Sequence, residues 1–540
     1  MKKKRLTNKY YNKNTVPKKK KGLSQRLIQV YDRCEPWFPW VLAVIYFGVM
    51  SYYTFRYHKI GRLGVETDFY VELVPQAKKL LSGQFSPLNY GAKGPLYSLL
   101  LSGMYLVIRD YFNAGLLLNL MSSGVFLITV YFLVKMMFNS ITAVLVMFAV
   151  STNFVFQSYT FRAGSDMPFM ALCVLSMYFL FRERGIRDIA LSALCGVCAF
   201  LTRYNGAFIA MGAMFYLALV GGSMRERMKR TGIWIGIFIL AGLPWFVPNW
   251  VATGSPVYNE NYINVMLEFY ALGEDGVMYD NWTDALPKQF TSLGDIFFYN
   301  PIHFFKSMTM NVFKHFFSDM RDLLGWGIGI FVILGFIMFW FESVEKKKLV
   351  YFSFGLFYFL ILTLVFYNLR FSLILLVFYV PLAVWPFTVN KKRKFSRYFS
   401  YTAIIILSIV LLNYSYNATS STLNEIKNPP AFLNELKDLG VALKKTKPDT
   451  SKKITARVPH VAYFSGLDFT VFPVEPETVE DLVEVCMEND IAYVVYTGIE
   501  ADARPKLRVL LNVDQKHPGL EKVHHNRFGV VYRVIDGNNN

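Results

Sequence analysis

Four ionisable residues stand at the ends of long apolar stretches of the sequence. Asp68 and Lys93 lie in the polar segment 61–97, which follows the first apolar stretch and carries more charge than a plain connection needs. Asp166 lies where a later apolar stretch begins, and Arg203 lies where another one ends. Charged groups at such positions are costly and are often functional. The charged segment 61–97 therefore predicts a cap over an active site at a membrane surface, and Asp166 and Arg203 are further candidates for functional residues.

Each of these residues also has a purely structural interpretation. The sequence Ser-Asp-x-Pro around Asp166 is a good helix start, so this carboxylate could cap a helix, line a catalytic site, or do both. Asp68 could be a solvated loop residue. Lys93 could bind a lipid phosphate or could anchor the chain at the headgroups. Arg203 ends its apolar stretch on the predicted outer side, against the usual distribution of basic residues, which favours a functional role.

Other polar residues give weaker signals. Arg109 and Arg162 are candidates of the same kind as Arg203. His303 and His315 lie beside phenylalanines, where a lone histidine is more often structural than metal-binding. The sequence has no HExxH motif and no paired Cys/His spacing. It therefore assigns no metal ligand.

The composition is that of a polytopic α-helical membrane protein. Of 540 residues, 54% are hydrophobic and 18% are charged, whereas a soluble globular chain carries roughly 25% charge. Long apolar runs recur as far as residue 413. The net charge of +19 does not indicate nucleic-acid binding, because many basic residues lie in the N-terminal tail and in short loops between apolar runs. The expected partner is a lipid bilayer and not nucleic acid.

The basic loops predict the topology. The run from Pro95 to Ile108 is short for a crossing, which takes about 20 residues. If it does not cross, the loops RERGIR, SMRERMKR, EKKK and KKRKFSR all fall on the side of the Lys-rich N-terminal tail, as the positive-inside rule requires. If it crosses, they all face away from the tail. We therefore expect about eleven full spans and one short re-entrant or interfacial helix.

This topology divides the chain into three parts. Residues 1–36 are predicted to be a basic cytoplasmic tail, and residues 37–413 a transmembrane domain with outer loops 56–112 and 252–323. Residues 414–540 alternate strand-like and helix-like segments, which predicts a small extracytoplasmic α/β domain. That domain carries no GxGxxG, P-loop or nucleophile-elbow motif, so its function is left open.

The order of these features resembles the GT-C superfamily of membrane glycosyltransferases, in particular the protein O-mannosyltransferase and aminoarabinose-transferase (glycosyltransferase 39/83-like) relatives. TDFYVELVPQAKKLLSGQF is similar to that family's first outer-loop motif, GAKGPLYSLLL to its Lys-Pro-Pro-Leu-Tyr segment and FRAGSDMPFMAL to its second acidic motif. LTRYNGAFI is similar to its Leu-Thr-Lys-Gly motif, and LPWFVPNWVATGSPV to its Pro-Trp turn before the large loop. The resemblance covers about residues 37–256.

The resemblance implies a plasma-membrane transferase that moves a sugar from a polyprenyl-phosphate carrier to an acceptor outside the cytoplasm. Asp68 aligns with the family's catalytic general base and Asp166 with its second acidic residue. Lys93 and Arg203 align with basic positions that bind the donor phosphate. Glycolipid, polysaccharide and protein acceptors stay open.

Two departures from the family pattern bear on a metal. Many relatives have Glu after the first Asp, where this chain has Phe69, and the aminoarabinose relatives have Glu where this chain has Ala92. No metal ligand is carried over, and participation of a divalent metal is left open.

Two other classes of protein compete with the transferase. A lipid or glycan transporter or flippase could use Asp166 and Arg203 as a site within the membrane, but we find no matched internal repeats of the kind transporters show. A non-enzymatic assembly or receptor protein could use the C-terminal domain to bind a partner. A transfer assay separates these alternatives.

Overall fold

The computed structural model describes residues 33–271, 290–341, 345–388 and 394–535. Most of the predicted basic tail, the middle of the loop 252–323 and parts of the basic segments near residues 343 and 391 lie outside these ranges.

Up to residue 427, the regular secondary structure of the described residues is helical. In chain order the helices are α1 Phe38–Tyr57, α2 Val65–Asp68, α3 Val74–Leu81, α4 Leu96–Ile108, α5 Tyr111–Met137, α6 Ser140–Ser151, α7 Phe154–Thr160, α8 Asp166–Arg182, α9 Ile186–Thr202, α10 Ala207–Leu219, α11 Met224–Thr253, α12 Tyr262–Met266, α13 Leu293–Tyr299, α14 Pro301–Ser318, α15 Trp326–Phe341, α16 Lys346–Leu362, α17 Leu369–Ser372, α18 Leu376–Thr388 and α19 Lys394–Lys427.

The sequence explains both ends of the 30-residue helix α11. Ser223 precedes α11, and its hydroxyl accepts a hydrogen bond from the amide of Glu226 at 3.4 Å, so it caps the helix. Gly254 ends α11 with φ 78°, a conformation that costs glycine little. Helices such as α1 and α19 expose large apolar side chains, for example Val44 and Ile409. Apolar surface of this kind suits contact with lipid.

Five helical segments are long and apolar enough to cross a membrane, or six if the bent pair α6 and α7 counts as one span. They are Phe38–Tyr57, Tyr111–Met137, Met224–Thr253, Leu369–Thr388 and Tyr398–Lys445. Other apolar helices are shorter, and among them is α4, at the predicted re-entrant or interfacial segment. The figure of about eleven spans therefore stays a prediction.

The C-terminal region folds around a mixed five-stranded sheet. Its strands are β1 Lys453–Ala456, β2 Asp468–Val471, β3 Ile491–Thr497, β4 Leu520–His525 and β5 Gly529–Val534, and its helices are α20 Ala431–Lys445, α21 His460–Ser465, α22 Val479–Glu488 and α23 Gly498–Ala503. The strand order is β2-β1-β3-β5-β4, with β1 parallel to β2 and β3, and β5 antiparallel to β3 and β4.

The small sheet domain expected at this end of the chain is confirmed. Its edge strand β4 (LEKVHH) gives no strand signal in the sequence, because only its first residue is buried and it lacks a clear apolar alternation.

Candidate functional site

The segment that carries Asp68 is a helix with one irregular turn. After α2, residues Phe69–Leu73 form a π-turn, in which the amide of Val74 bonds the carbonyl of Phe69. Pro75 follows and has no amide hydrogen, so the regular helical pattern is interrupted here. Such turns are frequent at functional sites. Asp68, just before this turn, and Glu72, within it, both contact the same lysine.

That lysine is Lys93, which the fold brings from a tight turn. Its ammonium lies 2.7 Å from Glu72 Oε2 and 3.2 Å from Asp68 Oδ2. The next residue, Gly94, packs so closely on the end of α9 that a Cβ would lie 2.2 Å from the carbonyl oxygen of Leu201. Only glycine fits there, and the contact places the turn beside Arg203.

Asp166 is the first residue of α8, and its carboxylate faces two arginines. Arg203 Nη1 lies 2.6 Å from its Oδ1, and Arg370 Nε lies 2.9 Å from its Oδ2. The N-cap of this helix is Ser165, whose side chain makes no capping hydrogen bond. The Asp166 carboxylate is buried and forms both ion pairs. Its place in the first turn also stabilises the helix dipole.

Arg370 joins the two aspartates. Its Nη1 donates to Asp68 Oδ2 at 3.0 Å, while its Nε donates to Asp166. Asn368 caps the short helix α17 by accepting from the Arg370 amide, and Tyr358 donates to the carbonyl of Phe371 at 2.9 Å, so the arginine stands on a fixed turn.

Sequence reasoning missed Arg370, although it had a signal. The sequence YNLR ends an apolar run on the predicted outer side. That is the same pattern that singled out Arg203.

The structure thus brings all four predicted residues into one cluster and adds Glu72 and Arg370. Three carboxylates face three cations, so their formal charges cancel. Loss of water around Asp68 raises its pKa, but the charges of Lys93 and Arg370 outweigh this and lower the pKa to about 2. Asp68 is therefore ionised at neutral pH.

The two halves of the cluster differ in their access to solvent. Beside Asp166, Arg203 and Arg370 lies a cavity of about 10 Å³, enough for about one water molecule. The side chains of Asp68 and Glu72 are 34% and 33% exposed. A small molecule in solution can therefore reach Asp68, whereas the Asp166 side is closed.

The residues present do not fit a divalent cation. Among the described residues no three His, Cys, Asp or Glu side chains are grouped as metal ligands. Asp68, Glu72 and Asp166 each already face a lysine or an arginine, which repels a metal ion.

The weaker candidates lie elsewhere. Arg162 pairs with Glu425 at 2.5 Å, and Arg109 ends α4 in the left-handed conformation. His303 Nε2 lies 2.7 Å from the carbonyl oxygen of Phe269. His315 is buried against Tyr367.

Part of the chain matches a known protein family. Residues 92–251 match the model of the dolichyl-phosphate-mannose-protein mannosyltransferase family, a range that holds Lys93, Asp166 and Arg203. A comparison with curated protein sequences gave no match. Among solved structures, the fold is similar to that of the GT-C glycosyltransferases, and the resemblance predicted from the motifs is confirmed.

The similar structures span most of the chain at low sequence identity. ArnT from Cupriavidus metallidurans bound to undecaprenyl phosphate is 10% identical with a TM-score of 0.53, over 95% of this chain and 98% of that one. The oligosaccharyltransferase AglB from Archaeoglobus fulgidus, in complex with an inhibitory peptide and a dolichol-phosphate, is 11% identical with a TM-score of 0.52, over 86% of this chain and 70% of that one. The structural similarity indicates a shared fold, and at this identity it shows the fold alone.

Proposed function

We propose that this protein is a membrane glycosyltransferase that moves a sugar from a polyprenyl-phosphate donor to an acceptor on the extracytoplasmic side of the plasma membrane. The observation that carries the proposal is the arrangement around Arg370, which joins the solvent-accessible carboxylate of Asp68 to the closed carboxylate of Asp166. Lys93 lies 3.2 Å from Asp68 and Arg203 lies 2.6 Å from Asp166, so three cations meet at this point. A phosphate leaving group needs cations, and an incoming hydroxyl needs a base.

The roles follow from what each group faces. The acceptor oxygen attacks the anomeric carbon of the sugar, the bond from that carbon to the phosphate oxygen breaks, and the polyprenyl phosphate leaves with the electron pair. The acceptor proton passes to Asp68. Lys93, Arg203 and Arg370 hold the phosphate, and Arg370 Nη2 is buried without a protein partner among the described residues. Asp166 orients the two arginines.

The low pKa of Asp68 fits late proton transfer. Glycosyl transfer passes through a transition state with cationic character on the sugar. A hydroxyl that bonds to such a centre becomes strongly acidic, so a weakly basic carboxylate can accept its proton. When a donor phosphate draws Lys93 and Arg370 away from Asp68, the pKa of this carboxylate rises and it becomes a better base.

A second cavity beside the Lys93 turn suits the carbohydrate part of a substrate. Its volume is about 260 Å³, and Tyr90, Gly91, Asn249, Tyr258 and Glu260 are among the residues that line it. Aromatic rings with a few polar groups are typical of small-molecule sites. We assign to it the binding of a sugar ring.

A transfer assay in vesicles tests the proposal. The purified chain is supplied with a polyprenyl-phosphate sugar and a membrane extract as acceptor, and labelled product is measured. Asp68→Asn is expected to lower the rate about 10²- to 10⁴-fold, since it removes the base. The control Asp490→Asn changes a carboxylate in the C-terminal domain that is 67% exposed, and should leave the rate unchanged. Full activity of both Asp68→Asn and Asp166→Asn would contradict the assigned roles.

The sugar and the acceptor need a separate measurement. Mass spectrometry of glycolipids and surface glycans from a strain that lacks the gene is expected to show one product missing a single sugar. A transporter would instead leave a complete lipid-linked intermediate accumulated on the cytoplasmic side.

A further inference from the structure

The first outer loop rests on the C-terminal domain. Ile60, which leads into the loop, is 5% exposed and belongs to the hydrophobic core that also contains Leu433, Leu436 and Val461 of that domain. Arg62 continues the contact, with Nη1 3.2 Å from Glu425 Oε1 on α19, the helix that leads into the domain. The start of the loop is therefore packed as a part of the domain.

The helix α21 contacts the loop most closely. His460 is fully buried, and its Nε2 lies 2.8 Å from the carbonyl oxygen of Gly61. The amide of Gly61 in turn donates to the hydroxyl of Tyr70 at 2.8 Å. The Tyr70 ring lies 4.3 Å from the ring of Tyr463 and 5.1 Å from that of His460. Gly61 and Tyr70 are thus held together from the domain side.

Tyr70 is two residues beyond Asp68, within the π-turn. The helix α2, the π-turn and α3 form one continuous helical segment, residues 65–81, and most of the stability of such a segment in a protein comes from tertiary packing. Its position therefore depends on packing. The packing comes from α21 on one side and from the membrane helices on the other.

On the membrane side, Glu66 fixes the same loop. Its carboxylate is fully buried and accepts hydrogen bonds from the amide of Arg62 at 2.6 Å and the amide of Ala163 at 2.8 Å, with His58 Nε2 at 2.9 Å. Ala163 lies three residues before Asp166. The hydrogen bond from Ala163 to Glu66 thereby connects the loop to the turn that precedes Asp166.

We propose that the C-terminal domain positions the loop that carries Asp68, with His460 as a positioning residue that acts through Gly61 and Tyr70. The catalytic part of this inference rests on the proposed function, and the structural part does not. The domain is thus a component of the transfer site, although it supplies no group that touches the reacting atoms.

Hydrogen–deuterium exchange of the full chain in nanodiscs tests the structural part. His460→Leu keeps side-chain bulk but removes the donor to Gly61, and exchange over residues 61–73 should become at least about tenfold faster. His460→Gln keeps an N–H donor near the same place and should restore protection. Leu482→Val is the control, because Leu482 packs on the opposite face of the sheet from Ile60 and should leave residues 61–73 unchanged.

A second variant disturbs the contact from the loop side. A Cβ at Gly61 would lie 2.8 Å from the Tyr70 ring, so Gly61→Ala should speed exchange in the loop and also in α21, with the domain sequence intact. Gly61→Ala keeps the test decisive if His460→Leu folds poorly. Equal exchange rates over 61–73 in wild type, His460→Leu and Gly61→Ala would overturn the proposal.

Kinetics test the catalytic part. His460→Leu should lower kcat on the order of tenfold to a hundredfold, since small misplacement of a catalytic group is costly. The KM for the donor should change less than about threefold, because the variant leaves the phosphate-binding residues in place. An unchanged kcat beside faster loop exchange would overturn the positioning role. A wild-type chain that transfers no sugar would contradict the proposed function, and the exchange rates would still decide the role of the domain.

Discussion

Asp68 and Asp319 are both aspartates at the start of a π-turn, yet their surroundings give them opposite acidities. Asp68 precedes the turn Phe69–Leu73 and faces the cations Lys93 and Arg370, which lower its pKa to about 2 despite the loss of water around it. Asp319 begins the turn Asp319–Leu323 and is fully buried.

The partners of Asp319 are hydroxyl groups. Tyr367 and Tyr379 donate to it at 3.2 and 3.1 Å, and burial raises its pKa to about 7, with bonds from Ser372 and these tyrosines offsetting only part of the shift. Nearby His315 supplies no charge at neutral pH, because burial lowers its pKa to about 4. Neutral donors do not replace the solvation that an ionised carboxylate loses, whereas cations do.

Arg370 is held in place from two sides. Tyr367 and Ser372 flank Arg370 in sequence, and both bond Asp319. Arg370 itself faces Asp68 and Asp166. One aspartate therefore anchors the backbone turn through hydroxyl donors, while the other two bind the charged end of the side chain.

Removal of the shared cation is expected to have the largest effect. Arg370→Gln leaves Asp166 buried with one cation fewer, so unfolding free energy should fall by about 3–5 kcal/mol. Transfer should fall about 10²- to 10³-fold. Thermal unfolding and the vesicle assay measure both. Arg370→Lys should be intermediate because it keeps charge without the planar fork. Arg321→Gln, at a side chain 60% exposed, is the control. Equal losses in both glutamine variants would refute the special place of Arg370.

The acidity of Asp319 predicts the next largest effect, on the pH dependence of stability. Between about pH 4 and 7 the folded protein keeps a proton on Asp319 that the unfolded chain has released, so Asp319 contributes a decline in stability as pH rises through this window, of about 4 kcal/mol at most. His315 contributes a rise between about pH 4 and 6.5, because its pKa is lowered to about 4, so the decline is read from the difference between wild type and Asp319→Asn. Asp319→Asn cannot ionise and should remove this decline.

The control for that experiment lies in the same turn. Arg321 lowers the pKa of Asp322, so Asp322→Asn should leave the decline between pH 4 and 7 in place. Thermal melting at a series of pH values measures all three proteins. A stability difference between wild type and Asp319→Asn that stays constant across this range would show that Asp319 has an ordinary acidity.

Removal of one hydroxyl donor should have a smaller effect. Tyr367→Phe takes away one of the hydrogen bonds of Asp319, and at pH 6 stability should fall by about 1 kcal/mol. The decline with pH should also extend to higher pH, because the ionised carboxylate loses a donor. Tyr358→Phe, which removes a bond to a backbone carbonyl near the same turn, should lower stability without moving the pH range.

Glu72→Gln should have the smallest effect. Glu72 contacts Lys93 at 2.7 Å but is one-third exposed, so the loss in stability should be about 1 kcal/mol or less. Transfer should stay within about threefold of wild type, since Asp68 and Arg370 keep their contact. A loss as large as that of Asp68→Asn would assign Glu72 a direct part in the chemistry.

Much of the candidate site could be predicted from the sequence, because the signal of these residues lies in their immediate sequence neighbours. Asp68, Lys93, Asp166 and Arg203 all interrupt or end apolar stretches, where a charge is conspicuous. Glu72 lies four residues after Asp68 in a helix-like segment, a spacing that puts both on one helix face, but its contact with Lys93 depends on tertiary packing. Asp319 gave no signal, since its burial depends on tyrosines 48 and 60 residues away in the chain.

The sequence by itself determined that the chain is an apolar helical protein with a small α/β domain at its end, because hydrophobic period and composition are local properties. It also determined which carboxylates and cations stand at the edges of apolar segments. Only the tertiary structure decided that Arg370 joins Asp68 to Asp166 across 302 and 204 residues of chain, and that His460 supports the loop from 399 residues away. Pairings of that kind depend on how the helices pack, and no local pattern in the sequence predicts them.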